Sequence, residues 1–171
     1  MIATNKTKRI VLLALVIIYM VIIFAFSAQT GEESGDFSKG ITIKLCYWFV
    51  SDFEHMSLEQ QKHMVVNLHG TLRTLAHGTE FAGLAVVVFC LLKTYSRIWV
   101  LPIKNLTAVA LATLLSSMYA VTDEIHQIFV VGRACEVFDW SVDTIGAALG
   151  ATMTMLLYMC LTKWRKRNGL S

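Results

Sequence analysis

The sequence predicts an all-α protein: an integral membrane four-helix bundle with a long extracytoplasmic loop between helices 1 and 2. Composition, run length and the placement of basic residues carry this prediction. The chain has 171 residues, 56% of them hydrophobic, with a mean hydropathy of +0.59. Water-soluble domains seldom run so apolar. Four runs approach the roughly 20 apolar residues that cross a bilayer. They cover residues 10–26, 75–92, 106–121 and 144–161, within one domain spanning 1–171. The net charge of +3 is too small to point to nucleic acid.

Lys and Arg set the orientation. Lys6, Lys8 and Arg9 precede the first run, and Lys93, Arg97 and Lys104 separate the second from the third. Lys163, Arg165, Lys166 and Arg167 follow the fourth. With four spans, all of these lie on one side, so both termini are expected in the cytoplasm of a multi-pass protein. The opposite side keeps Lys39, Lys44, Lys62, Arg73 and Arg133, and it gathers the acids and histidines. Chemistry is therefore expected on the outer face.

The run 10–26 is uncharged and exceeds the usual signal-peptide core of about 7–15 residues. It reads as a span despite the cleavage-like Ala25-Phe26-Ser27. The stretch 27-SAQTGEESGDFSKG-40 is rich in Ser and Gly and reads as turn or loop. Ile41, Leu45, Trp48 and Phe49 then share one helical face. That stripe suits either the lipid interface or packing on other helices. Ser57-Leu58-Glu59-Gln60 has the form of a capping box, so a helix is expected to start there and either run through Gly70 into the second span or bend at it. In the fourth span, 146-GAALG-150 reads first as a close-packing seam. Cys46 and Cys135 would lie outside, where an oxidising compartment could join them; four unpaired cysteines is the favoured reading.

Polar residues collect where the spans reach the outer surface. His77 and Glu80 share a face in the first turns of the second span. If the third span stays helical past Val121, Tyr119, Asp123 and His126 share a face, flanked by Gln127, with Glu124 turned about 100° away. Ser27 and Gln29 leave the first span at this depth. Arg73 precedes the second, Arg133 follows the third, and Asp139 and Asp143 open the fourth. Charged groups at membrane depth are costly and usually face protein or water, so a shared polar pocket is expected.

Three assignments suit that pocket. In one, the groups satisfy each other, with Arg133 on Asp139 or Asp143 and Arg73 on Glu80. In another, His77, Glu80, Glu124 and His126 hold a divalent metal such as zinc, although no standard metal motif is present and no cofactor is the primary expectation. In the third, Arg73 and Arg133 take an anionic headgroup, with Ser27, Gln29, Gln127, Asp139 and Asp143 as further ligand-binding positions. The catalytic candidates are His77, Glu80, Asp123, Glu124 and His126. His77 with Glu80, or His126 with Asp123, would be a base and its orienting carboxylate.

These residues carry a resemblance. The segments 26-FSAQTG-31, 73-RTLAHGTEFAGL-84, 119-YAVTDEIHQIFVVGR-133 and 139-DWSVDTIGAALG-150 resemble the VanZ-like family of bacterial membrane proteins. The resemblance implies a four-helix protein of the bacterial cell membrane, similar to proteins linked to glycopeptide resistance of the teicoplanin type. It supplies no settled reaction. Its characteristic positions fall on Ser27, Gln29, His77, Glu80, Asp123, Glu124, His126, Gln127, Gly132, Arg133, Asp139 and Asp143. Val131 stands where the family commonly has Pro, and Ala134, Cys135 and Glu136 replace small polar residues. A differently shaped turn is expected there.

The functional expectation is recognition of a cell-envelope or lipid-linked headgroup in an outer-leaflet pocket. An intramembrane enzyme acting on a lipid-linked phosphate is the alternative from another class. A structural partner of envelope proteins is the third. The lipid bilayer is the expected environment, and the sequence leaves oligomeric state open.

Overall fold

A computed structural model describes residues 2–95 and 104–169; Arg97, counted above among the cytoplasmic basic residues, lies outside them. Five helices follow in order: α1 (Ile2–Ser27), α2 (Gly31–Phe49), α3 (Leu58–Tyr95), α4 (Asn105–Gln127) and α5 (Val137–Arg167). Among the described residues, α1, α3, α4 and α5 are long and apolar enough to cross a membrane. Their outward faces carry Ile17, Val21, Leu114, Leu149, Met153 and Leu157, all exposed. A surface this apolar around four helices suits lipid rather than water.

The expected long loop is mostly helix, which corrects the reading of residues 27–40. Thr30 explains the difference. Its hydroxyl accepts from the Glu33 N–H at 3.2 Å, and the Glu33 carboxylate accepts from the Thr30 N–H at 2.9 Å. This reciprocal cap starts α2 at Gly31, ahead of the Ser and Gly that suggested a loop. The buried face of α2 is Gly35, Thr42 and Cys46. The apolar stripe is not the packed face: Trp48 is 76% and Phe49 79% exposed. Of the two roles left open for that stripe, packing on other helices is therefore excluded for its C-terminal half.

The second capping box forms as expected. The Gln60 N–H donates to Ser57 Oγ at 3.3 Å and the Ser57 N–H to Gln60 Oε1 at 3.0 Å. From there α3 runs unbroken through Gly70 for 38 residues, about 57 Å at 1.5 Å per residue. That exceeds the roughly 30 Å hydrocarbon core, so its first turns extend beyond the bundle. There Phe53 and Val65 bury against Cys46 and form a small second core.

The main core joins Ile23 of α1, Phe81, Leu84, Ala85, Val88 and Phe89 of α3, and small residues of α4 and α5. On α4, Ala108, Ala112, Ser116 and Ala120 recur every four residues and are fully buried, giving a flat face for close approach. On α5, Gly146 and Gly150 meet α3 directly. A Cβ at Gly146 would strike the Gly78 carbonyl, and one at Gly150 the Ala82 carbonyl. The GxxxG pattern is thus an internal seam.

The chain runs up α1, down α3, up α4 and down α5. At one end Arg9 Nη2 donates to the Thr94 carbonyl at 3.0 Å and lies over the Tyr95 ring. At the other end the α1–α2 connection meets the α4–α5 connection, where the Gly31 N–H donates to the Val131 carbonyl at 3.0 Å. All four cysteines are free.

Candidate functional site

The site lies at the end where those two connections meet. α4 stays helical to Gln127, as the polar face required. Gln127 then donates from Nε2 to Asp123 Oδ2 at 3.1 Å. The next residues form a tight turn in which Gly132 adopts a φ of +74°, a region where a side chain is strained. With Val131 in place of Pro the turn still closes, because Gly31 fastens to the Val131 carbonyl. Arg133 reaches back over α1: its Nε donates to the Gln29 carbonyl at 3.3 Å, and its Nη2 lies 3.5 Å from the Phe26 carbonyl.

A cavity of about 460 Å³ opens beside this turn. From α3 it takes Gly70, Arg73, Thr74 and His77. From α4 it takes Gln127, and from the turn and the start of α5 Gly132, Arg133, Ala134, Glu136, Phe138 and Asp139. Arg133 is the best-anchored cation. Burial, and then neighbouring Arg73, pull its pKa below the ordinary value, while Asp123, Asp139 and Glu124 act the other way. The guanidinium stays charged regardless.

The sequence-predicted residues divide into three groups. Arg73, His77, Gln127, Arg133 and Asp139 line the cavity. Asp123 lies behind Gln127, and Glu80 lies within its electrostatic reach. Asp143 is 1% exposed and lies within the field of Glu80, Asp123, Glu124 and Asp139. The third group turns elsewhere. Glu124 accepts from the Glu136 N–H at 2.8 Å, so it holds the α4–α5 connection. The His126 ring packs on Phe24, 4.4 Å between centroids. Ser27 is 2% exposed, and Gln29 contributes its carbonyl to Arg133.

The self-satisfying network is not formed. Among the described residues the one ion pair is Lys39–Asp36 on α2, at 3.6 Å. Arg133 does not pair with Asp139 or Asp143, nor Arg73 with Glu80. The cations sit on the cavity wall and at the turn, while Glu80 and Asp143 lie lower on α3 and α5. Instead, Ser27 Oγ, Asp123 Oδ1, His126 Nδ1, Arg133 Nη1 and Asp143 Oδ1 are buried with no hydrogen-bond partner among the described residues. No hydrogen bond joins His77 to Glu80 or His126 to Asp123, so neither expected dyad is assembled. Among the described residues no three His, Cys, Asp or Glu side chains are grouped so as to hold an ion. Glu124 and His126 point to different neighbours, which separates the would-be ligands.

Sequence reasoning missed Gly70, Thr74, Ala134, Glu136 and Phe138. Gly70 and Thr74 could have been found, because residues 70, 73, 74 and 77 fall on one face of a helix. Starting the second span at Leu75 hid that face.

Four helices long and apolar enough to cross a membrane, with a cavity lined by charged residues at one end of the bundle, suggest a membrane protein. The chain belongs to the VanZ/LLP1 family, whose model matches residues 12–159. Neither the curated proteins nor the solved structures offer a match.

Proposed function

We propose that this protein binds an anionic headgroup, carried by a lipid-linked or other cell-envelope component, in the Arg73/Arg133 cavity at the outer leaflet. The supporting observation is the cavity wall itself. Two arginines from separate elements line one space of about 460 Å³, and Arg133 Nη1 lies buried without a hydrogen-bond partner among the described residues. A buried charged donor left unmade is costly. A phosphate or carboxylate would satisfy it, with bidentate geometry available to Arg. The distribution of Lys and Arg supports placing this end outside and both termini in the cytoplasm.

Binding is favoured over catalysis because no histidine–carboxylate pair is in contact among the described residues. The enzymatic alternative, turnover of a lipid-linked phosphate, would need His77 to act alone. A purely structural role would leave the unpaired cavity cations unexplained. Altered tolerance to teicoplanin-type glycopeptides is the cellular phenotype expected if the bound headgroup belongs to the cell wall pathway.

Native mass spectrometry of the protein released from bilayers containing phosphatidylglycerol tests the reading. The wild-type chain should retain the lipid, and Arg133→Gln should cut the retained fraction by about tenfold, as the loss of a charged hydrogen bond predicts. Equal retention by both would overturn it.

A further inference from the structure

The cavity wall is not simply basic. Arg73 and Arg133 face it together with two carboxylate residues, Glu136 and Asp139. Opposite charges sharing a small cavity ordinarily pair, yet no contact within 4.0 Å joins them among the described residues. What holds them apart is visible in the backbone. Arg133 is drawn toward α1 by the Gln29 carbonyl. Glu136 is fixed at the head of α5 through its N–H on Glu124, and Asp139 rides in the first turn of that helix. Arg133 and the acids are thus fastened to different supports, Arg73 stands on α3, and no cation comes within 4.0 Å of either acid among the described residues. Behind the wall, Asp123 Oδ1 and Asp143 Oδ1 are buried without hydrogen-bond partners among the described residues. The charge of such a wall is matched by a group with its own anion and cation a few bonds apart, laid in the reverse sense.

We infer that the headgroup bound here is zwitterionic: a phosphate or carboxylate held by Arg73 and Arg133, with a primary ammonium received by Asp139 and Glu136. The inference rests on the headgroup reading above and narrows it. A simple anion would satisfy the guanidiniums but leave the facing carboxylates repelling it. An ammonium removes that repulsion and adds charge-assisted hydrogen bonds. The ammonium-bearing ligand could be a phospholipid or a soluble phosphodiester, and the two share this chemistry.

Two soluble phosphodiesters form the minimal test, because they share the anion and differ in the ammonium: glycerophosphoethanolamine and glycerophosphoglycerol. Each is titrated calorimetrically into the purified full-length protein. The parent lipids, phosphatidylethanolamine and phosphatidylglycerol, are compared in nanodiscs. The ethanolamine diester should bind at least about tenfold tighter, the scale of one charge-assisted hydrogen bond. Asp139→Asn should narrow that ratio to roughly twofold or less. Glu136→Gln, at an exposed position, should narrow it as well and decides the matter if Asp139→Asn does not fold. A preference seen with the free diesters assigns a soluble ligand, and one seen only with the parent lipids assigns a membrane lipid; both support the inference. Equal affinity for the two diesters and the two lipids would overturn it while leaving anion binding intact. So would a wild-type ratio in both variants. Failure of all four probes to bind would overturn the headgroup reading as well.

Discussion

Gly78 and His77 are neighbours on α3, yet they belong to regions built in opposite ways. From Gly78 downward, α3 and α5 meet backbone to backbone: Gly146 sits on the Gly78 carbonyl and Gly150 on Ala82. From His77 upward, the same helices frame a cavity lined by charged residues, while Arg133 Nη1, Asp123 Oδ1 and Asp143 Oδ1 are buried with no hydrogen-bond partner among the described residues. The seam is dense packing, which stabilises. The cavity holds polar atoms at a cost to stability. The contrast teaches that the seam fixes the helices so firmly that the polar end can be left unsatisfied.

Filling the seam should have the largest effect. Gly146→Leu forces a side chain into the α3 backbone, which cannot move aside as a flexible side chain would. The loss should sit at or above the top of the roughly 1–3 kcal/mol range for overpacking. Thermal unfolding in detergent would read it, and a wild-type midpoint would show that the seam is not close-packed. Next in size is Gly132→Ala at the cavity rim. A φ of +74° costs a residue with a Cβ about 1–2 kcal/mol. Because the same turn aims Arg133, this variant should also weaken phosphodiester binding. Unfolding and calorimetry on one preparation would check both. Lost stability with intact binding would uncouple the turn from the site.

Much of this was legible from residue patterns, and the exceptions have physical causes. The four long apolar helices follow from run length, and the seam from Gly146 and Gly150. The polar depth follows from His77, Glu80, Asp123 and Asp143. Helix α2 was misread because its Ser and Gly content outweighed one reciprocal cap at Thr30 and Glu33. Its exposed Trp48 and Phe49 face was beyond periodicity, which finds an apolar stripe but not what it touches. His126 and Glu124 were assigned to the pocket on spacing. Spacing fixes the direction of a side chain from its helix axis, whereas Phe24 and the Glu136 N–H lie on other elements. The expected ion pairs failed for the same reason, since separation in sequence does not set the distance between the supports that carry them.

A smaller effect sharpens the contrast between satisfied and unsatisfied carboxylates. Glu33 is exposed and bonded within its own turn, and the Thr30 N–H and hydroxyl hold its pKa below the ordinary 4.5. A carboxylate lowered on folding contributes fully above its unfolded value and loses that contribution as pH falls through the folded one. Protection of the amides at the start of α2, taken relative to the intrinsic exchange rate at each pH, should therefore fall below about pH 4.5. Glu33→Gln should show no such step. A step of equal size in that variant would assign the pH response elsewhere.

Arg73 offers the most direct test of the central claim, that the cavity end is kept for binding and not for stability. It lines the cavity and makes no hydrogen bond or ion pair with the described residues. Paired calorimetric binding of glycerophosphoethanolamine and unfolding measurements on Arg73→Gln should show affinity lower by about tenfold or more, with stability changed by less than about 0.5 kcal/mol. A variant that unfolds early while binding as tightly as wild type would contradict the account and make the cavity a structural feature.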